Sequence, residues 1–469
     1  MTKLSRRDFV KNVSAAGAAA GIFPALGGMA ARAADVSGYK ALVCVFFKGG
    51  MDHYDTVLPY DNPSYDRIAE IRQELFNAYQ RREGGSTRVR SALMPLEPAN
   101  AADFGARRFA LPPELAGVHD LFTRGRAAIV GNVGPLVETL TRETFRNRSG
   151  RRPARLFSHN DQQSTWMSLA PEGERFGWGG RFADAALASS ANVNPTFTAI
   201  SVTGNDVFLT GEQATQYQIN GGRPQDPEIL RRNSLFGTAR NSDVARAVMR
   251  DHLRADGALI NNLFARDVTS IARRAIDSNT LFGEALETAP TFTTPFPDSR
   301  LGGQLRTVAE TIAVRGALGA NRQVFFASTG GFDTHARQWN SLPNLHAQFD
   351  AAVVAFNAAM EELGMENDVT LFTASDFGRT LVNNDDGSDH GWGAHHFVVG
   401  GAVDGGRIFG DIPPADVEHT LDAGRGRLIP TTSVEQFAAP LGRWFGLNPA
   451  EIDAALPGLA TFGGEPTFV

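Results

Sequence analysis

The chain has 469 residues, of which 42% are hydrophobic, 20% charged and 9% aromatic, and its formal net charge is −6. These proportions suit a globular protein and exclude disordered and collagen-like classes. Cys44 is the single cysteine, and lysine occurs only at positions 3, 11, 40 and 48, which removes intrachain disulfides, cysteine-rich metal centres, P-loops and most lysine-bound cofactors.

Residues 1–33 read as a separate export module. Ser5-Arg6-Arg7-Asp8-Phe9 is a basic start that resembles a twin-arginine signal, a small apolar run covers Ala15 to Met29, and Ala31-Arg32-Ala33 offers a cleavage site. The run is too short and too rich in Gly and Ala to span a bilayer, so no stable membrane anchor is expected. The expected location is periplasmic, with the twin-arginine translocase as partner during export. Losing Lys3, Arg6, Arg7, Asp8, Lys11 and Arg32 takes the net charge from −6 to −10, which argues against nucleic acid as a partner.

The mature chain, 34–469, reads as one α/β domain. Ala41 to Phe47 is a continuous apolar run that stops at Gly49-Gly50, the pattern of a strand buried on both faces. Similar runs follow at Arg126 to Val133, Gln323 to Ala327, Val369 to Ala374 and Phe397 to Val399. One helix is expected through Leu301, Leu305, Val308 and Ile312, and another through Leu345, Phe349, Val353, Phe356, Met360 and Leu363. This alternation predicts a central, mostly parallel sheet with helices on both faces. A helical insertion is expected at about 235–300, with Val244, Val248, Leu259, Leu263 and Ile271 as its apolar positions and the prolines of Thr288 to Pro297 closing it.

Acidic and imidazole side chains gather just past these strands. Asp52 and His53 follow the first, Asp333 and His335 the third, and Asp376 the fourth, while Asp389, His390, His395 and His396 precede the fifth. Carboxyl ends of parallel strands share one rim, where ligands bind in open α/β folds. Oxygen and nitrogen donors without cysteine suit a divalent metal, zinc foremost, with magnesium, manganese and iron compatible. In LFSHNDQQSTW, Ser158 reads either as a helix cap or as a nucleophile at a helix start, with His159 beside it. Arg379, three residues after Asp376, is a candidate clamp for an anionic oxygen. Trp166, Trp392 and His346 are assigned to packing.

The twin-arginine start, GGMDHYDTVLP, FSHNDQQSTW, FGWGGR, GGFDTH, SDFGRT, DHGWGAHHFVVGG and RLIPTTSVEQFAAPLGRWFGL, in this order, resemble the bacterial exported family known as domain of unknown function fifteen-oh-one. That family is similar in turn to the alkaline phosphatase and sulfatase superfamily. The resemblance implies an alkaline phosphatase-like fold and two metals at the sheet rim. It implies Asp52, Asp333, His335, Asp376 and His395 as ligands and Ser158 as nucleophile. Phe377 departs from the superfamily's Asp-His-Gly, and since phenylalanine cannot ligate, the second metal site either lacks a ligand or recruits another, such as His159, His53 or His390. The activity implied is hydrolysis of a small phosphate or sulfate ester; the alternative is a non-enzymatic protein that binds an envelope polymer.

Overall fold

The computed structural model describes residues 36–81, 87–224, 226–231, 242–254 and 262–469. The export segment and Leu259 lie outside these residues. A sheet of ten strands organises the molecule. In chain order they are β1 (Lys40–Phe47), β2 (Ala127–Gly134), β3 (Ala199–Ser201), β4 (Tyr217–Asn220), β5 (Arg223–Pro224), β6 (Arg322–Thr329), β7 (Val369–Ser375), β10 (Ala394–Val399), β11 (Ile408–Gly410) and β12 (Thr432–Ser433); a separate ribbon pairs β8 (Arg379–Asn384) with β9 (Gly387–His390). The sheet order is β11-β2-β10-β7-β1-β6-β3-β4-β5, with β12 also on β2.

β1 is central and parallel to both neighbours, β7 and β6. Its side chains alternate between two cores. Ala41, Val43, Val45 and Phe47 pack with helices α1 (Ala116–Thr123), α6 (Arg300–Ala313) and α7 (Gln338–Glu362). Leu42, Cys44 and Phe46 pack with α2 (His159–Ser168), α3 (Trp178–Ala188) and α8 (Val434–Phe445). Helices therefore cover both faces, which is why the strand reads as an unbroken apolar run. Phe47 meets Phe349 edge-on at 5.0 Å between ring centres. Burial of each such aromatic contributes about 1.5–3 kcal/mol. Trp166 and Trp392 are buried, as is His346.

Two strands run against the rest: β5 at the edge and β10 inside the sheet. β10 is antiparallel to β7 because the two are joined through the β8–β9 ribbon rather than a crossover helix. The insertion contains α4 (Ser242–Arg254) and α5 (Leu263–Glu287). Val244, Val248, Leu263 and Ile271, expected on its apolar face, are 64%, 64%, 63% and 59% exposed. Among the described residues, no helix is long and apolar enough to cross a membrane.

Candidate metal centre

The ends of β7, β1 and β6 lie side by side, so Asp376, Gly49 to Asp52 and Gly330 to His335 reach one rim. The reversed direction of β10 brings the residues before it, including His390, to the same rim. Gly49 makes the approach close. Its φ is +116°, and a Cβ there would lie 2.4 Å from the backbone nitrogen of Asp333, so an L side chain would force the two loops apart.

Asp333 Oδ1 is the focus of the site. His335 Nε2 lies 3.0 Å from it, His390 Nε2 3.3 Å and His159 Nε2 3.5 Å. The Nε2 atoms of His335 and His390 are 2.9 Å apart. His159, Asp333 and His390 form one metal-competent group, and His335, Asp389 and His390 form another. His159 comes from the first turn of α2, and its Nε2 is buried without a hydrogen-bond partner.

The far sides of two rings are fixed. His159 Nδ1 meets Asp376 Oδ2 at 2.6 Å, and the same oxygen accepts from Gln163 Nε2 at 2.9 Å and from the Gly49 amide at 3.1 Å. His390 Nδ1 meets the Phe157 carbonyl at 2.7 Å. Phe157 adopts φ +72°, a costly conformation for a bulky residue that is typical of functional sites. Such outer partners select the tautomer that leaves Nε2 free to ligate. The Asp376 hydrogen bond pushes the His159 pKa up against the opposing effect of burial, whereas burial lowers that of His390. For Asp333, burial works upward, but the Arg379 hydrogen bond and charge prevail and hold the carboxyl below its usual range.

The sequence-based candidates separate into two sets. Asp333, His335, His390 and His159 come together, and Asp376 stands behind His159. Asp52 is elsewhere: it is fully buried and takes both arms of Arg72, at 2.7 and 3.0 Å, as well as Gln338 Nε2 at 2.6 Å. A carboxylate occupied by a bidentate guanidinium has few lone pairs left for a cation. His395 is also outside the metal-competent groups. Its Nδ1 accepts from the Asn132 amide at 3.0 Å, its ring stands edge-on to His53 at 5.0 Å, and burial lowers its pKa to about 3. His53 is buried with neither ring nitrogen hydrogen-bonded.

Arg379 is a buried strut. It donates to Asp333 Oδ1 at 2.8 Å, to the Gly49 carbonyl at 3.0 Å and to Ser388. Ser158 precedes α2, but its hydroxyl donates to Asp161 Oδ2 at 2.9 Å and caps no backbone amide. Phe377 is buried against the rings of His159 and His390, at 4.9 and 4.7 Å, as an apolar wall.

Sequence reasoning did not single out Phe157, Gln163 or Gln338 as supports. Gln163 carried a usable signal, being four residues from His159 and hence on the same helix face. Gln338 connects the rim to a buried ionic layer. Its Nε2 reaches Asp52 and, at 3.2 Å, Asp55; its Oε1 accepts from Ser388 at 2.7 Å and Thr334 at 2.9 Å. Asp55 is bound in turn by Arg88 and Tyr79.

No curated protein matches the chain. Among solved structures, Ps i-CgsB in complex with k-i-k-neocarrahexaose aligns at 7% identity, covering 88% of this chain and 74% of its own, with a TM-score of 0.35. A Bacteroides thetaiotaomicron structure (BT33494S-sulf) from work on the metabolism of multiple glycosaminoglycans aligns at 10% identity, covering 80% and 70%, with a TM-score of 0.30. Similarity at this level assigns neither substrate nor residues. The family described as Protein of unknown function (DUF1501) matches residues 39–456, most of the chain, and the chain belongs to that family.

Proposed function

We propose that the protein is an exported, metal-dependent hydrolase of phosphate or sulfate esters. The observation that carries this reading is the meeting of three imidazole nitrogens around Asp333 Oδ1. The donors fit a divalent cation: His159 Nε2 and Asp376 Oδ1 are buried without hydrogen-bond partners, and His159 and His390 have outer partners on Nδ1. His159, His390 and Asp333 would hold the ion, with His335 and Asp389, which group with His390, available to a second, and zinc suits the donor set best. A bound cation would supply Lewis acidity to an ester oxygen.

The protein's own groups define the remaining roles. Asp376 and Gln163 orient His159, and Arg379 keeps Asp333 ionised and in place. Arg152 and Arg155 line a cavity of about 430 Å³ that includes Phe157, where an anionic ester would be attracted. Ser158 Oγ is the candidate attacking atom. As it bonds to phosphorus or sulfur, its proton passes to Asp161 Oδ2, the bond from phosphorus or sulfur to the ester oxygen breaks, and the departing oxygen takes that proton to leave as the alcohol; water then attacks the seryl ester, giving a proton to Asp161 that returns to Ser158 Oγ as phosphate or sulfate is released. The twin-arginine start supports export to the periplasm. The test is elemental analysis of the purified protein followed by turnover of aryl phosphate and aryl sulfate. Absence of both metal and turnover rejects the proposal.

A second reading is a non-enzymatic protein that binds an envelope polymer. It draws support from Arg379, whose donors reach protein groups, and from the Ser158 hydroxyl held by Asp161. Metal without turnover of any ester favours it.

A further inference from the structure

A second cavity, of about 630 Å³, is lined by residues that include Thr203, Asn220, Arg223, Ser299, Arg300 and Arg306. It shares the rim of the metal cluster. β3 and β4 run parallel to β6, so Thr203 and Asn220, at or just past their ends, emerge on the side where Asp333 follows β6. Two contacts fix the distance. Thr203 Oγ1 meets Ser328 Oγ at 2.9 Å, and Gln304, another wall residue, bonds the Ser328 amide and carbonyl at 2.9 and 3.1 Å. Ser328 is five residues before Asp333, at most about 17 Å of extended chain. The lateral step from β6 to β4 is about 10 Å, two strand spacings.

The cavity is cationic although the chain is acidic overall, at −6. Arg306 pairs with Glu310 at 2.8 Å. Arg223 and Arg300 are exposed and, among the described residues, their guanidinium groups have neither an ion pair nor a hydrogen bond. Their planar forks match the oxygens of sulfate and phosphate. No aromatic ring lines this cavity, so it lacks the stacking platform that single-stranded nucleic acids require. An adjoining cavity of about 520 Å³ shares Arg223, Arg306 and Glu310 with it and is lined also by Glu287 and Phe292.

We infer that this arginine cavity binds a second sulfate or phosphate group of a multiply charged anionic oligomer, one ester of which lies at the metal cluster. The inference rests on the ester-hydrolase reading and defines its substrate class as an oligomer rather than a single small ester. Arg223 and Arg300 would select the ligand, while the histidines and Asp333 would act on it.

The test uses the full chain and the Arg223→Ser/Arg300→Ser variant, titrated by calorimetry with a sulfated hexasaccharide and, separately, with hexaphosphate. Roughly tenfold weaker binding of at least one oligomer, with an unchanged thermal midpoint, supports the inference, and the oligomer affected identifies the group. Undiminished binding of both overturns it. In turnover, the ratio of kcat/KM for the oligomer to that for an aryl monoester should fall about tenfold in the variant; an equal fall in both overturns the inference. The two proposals can fail separately. Arginine-dependent binding without turnover of any ester refutes hydrolysis and leaves the subsite standing, whereas turnover with arginine-independent binding does the reverse.

Discussion

His159 Nδ1 and Asp376 Oδ2 lie 2.6 Å apart, across a chain separation of 217 residues. The contact joins the first turn of a helix to the end of a strand and directs Nε2 of the same ring toward Asp333. Asp376→Asn retains the shape but loses the charge that orients the imidazole. Metal affinity, measured by competition with a chelator, should fall about 10–100-fold. Unchanged affinity would remove Asp376 from the centre.

Asp52 should behave as a structural residue. Its ion pair with Arg72 is fully buried, and removing one partner of such a pair commonly costs about 3–5 kcal/mol because the other charge is left uncompensated. Arg72→Met should lower the urea-unfolding free energy by that order, while metal stoichiometry of the folded fraction stays the same. Lost metal at undiminished stability would reassign Asp52 to the site.

Ser158→Ala and Asp161→Asn test the attacking pair. Each should lower ester turnover by at least about 100-fold with bound metal unchanged. Activity retained in Ser158→Ala would show that a group other than this hydroxyl attacks.

Acid should unfold the protein early. Burial lowers the pKa of His346 to about 4 and those of His395 and His396 to about 3, against about 6.5 in an unfolded chain. With folded values depressed, the unfolded chain takes up protons below pH 6.5 that the folded chain cannot accept. Stability is therefore complete above that pH and declines as the pH falls toward 4 and 3. From pH 7 to pH 5 the loss from these groups is roughly 6 kcal/mol. Urea unfolding in chelator across this range measures it, and a flat profile contradicts the expectation.

The strands were legible because burial on both faces leaves Ala41 to Phe47 without a polar interruption. The direction of β10 was not, because three apolar residues, Phe397 to Val399, have no polarity; the lack of a helix between Ser375 and Ala394 was the available sign. The rim was legible too, since acidic and imidazole residues follow the strand ends. Which of them meet was not, because no local pattern shows that Arg72 will occupy Asp52 or that Asn132 will hold His395. In the insertion, the periodicity of Val244 and Val248 marks one face of a helix without revealing whether anything covers it.

The central position of β1 has a kinetic consequence. Of the sheet's strands it is the first to be synthesised, yet its partners begin at Arg322 and Val369. Such high contact order makes folding slow and leaves a bare aromatic and β-branched segment waiting on the nascent polypeptide, where it invites aggregation. Translation must pass Ser375 before both edges of the segment are sheltered, so a chaperone that shields residues 41–47 would raise the yield of soluble protein more than one acting on any later strand.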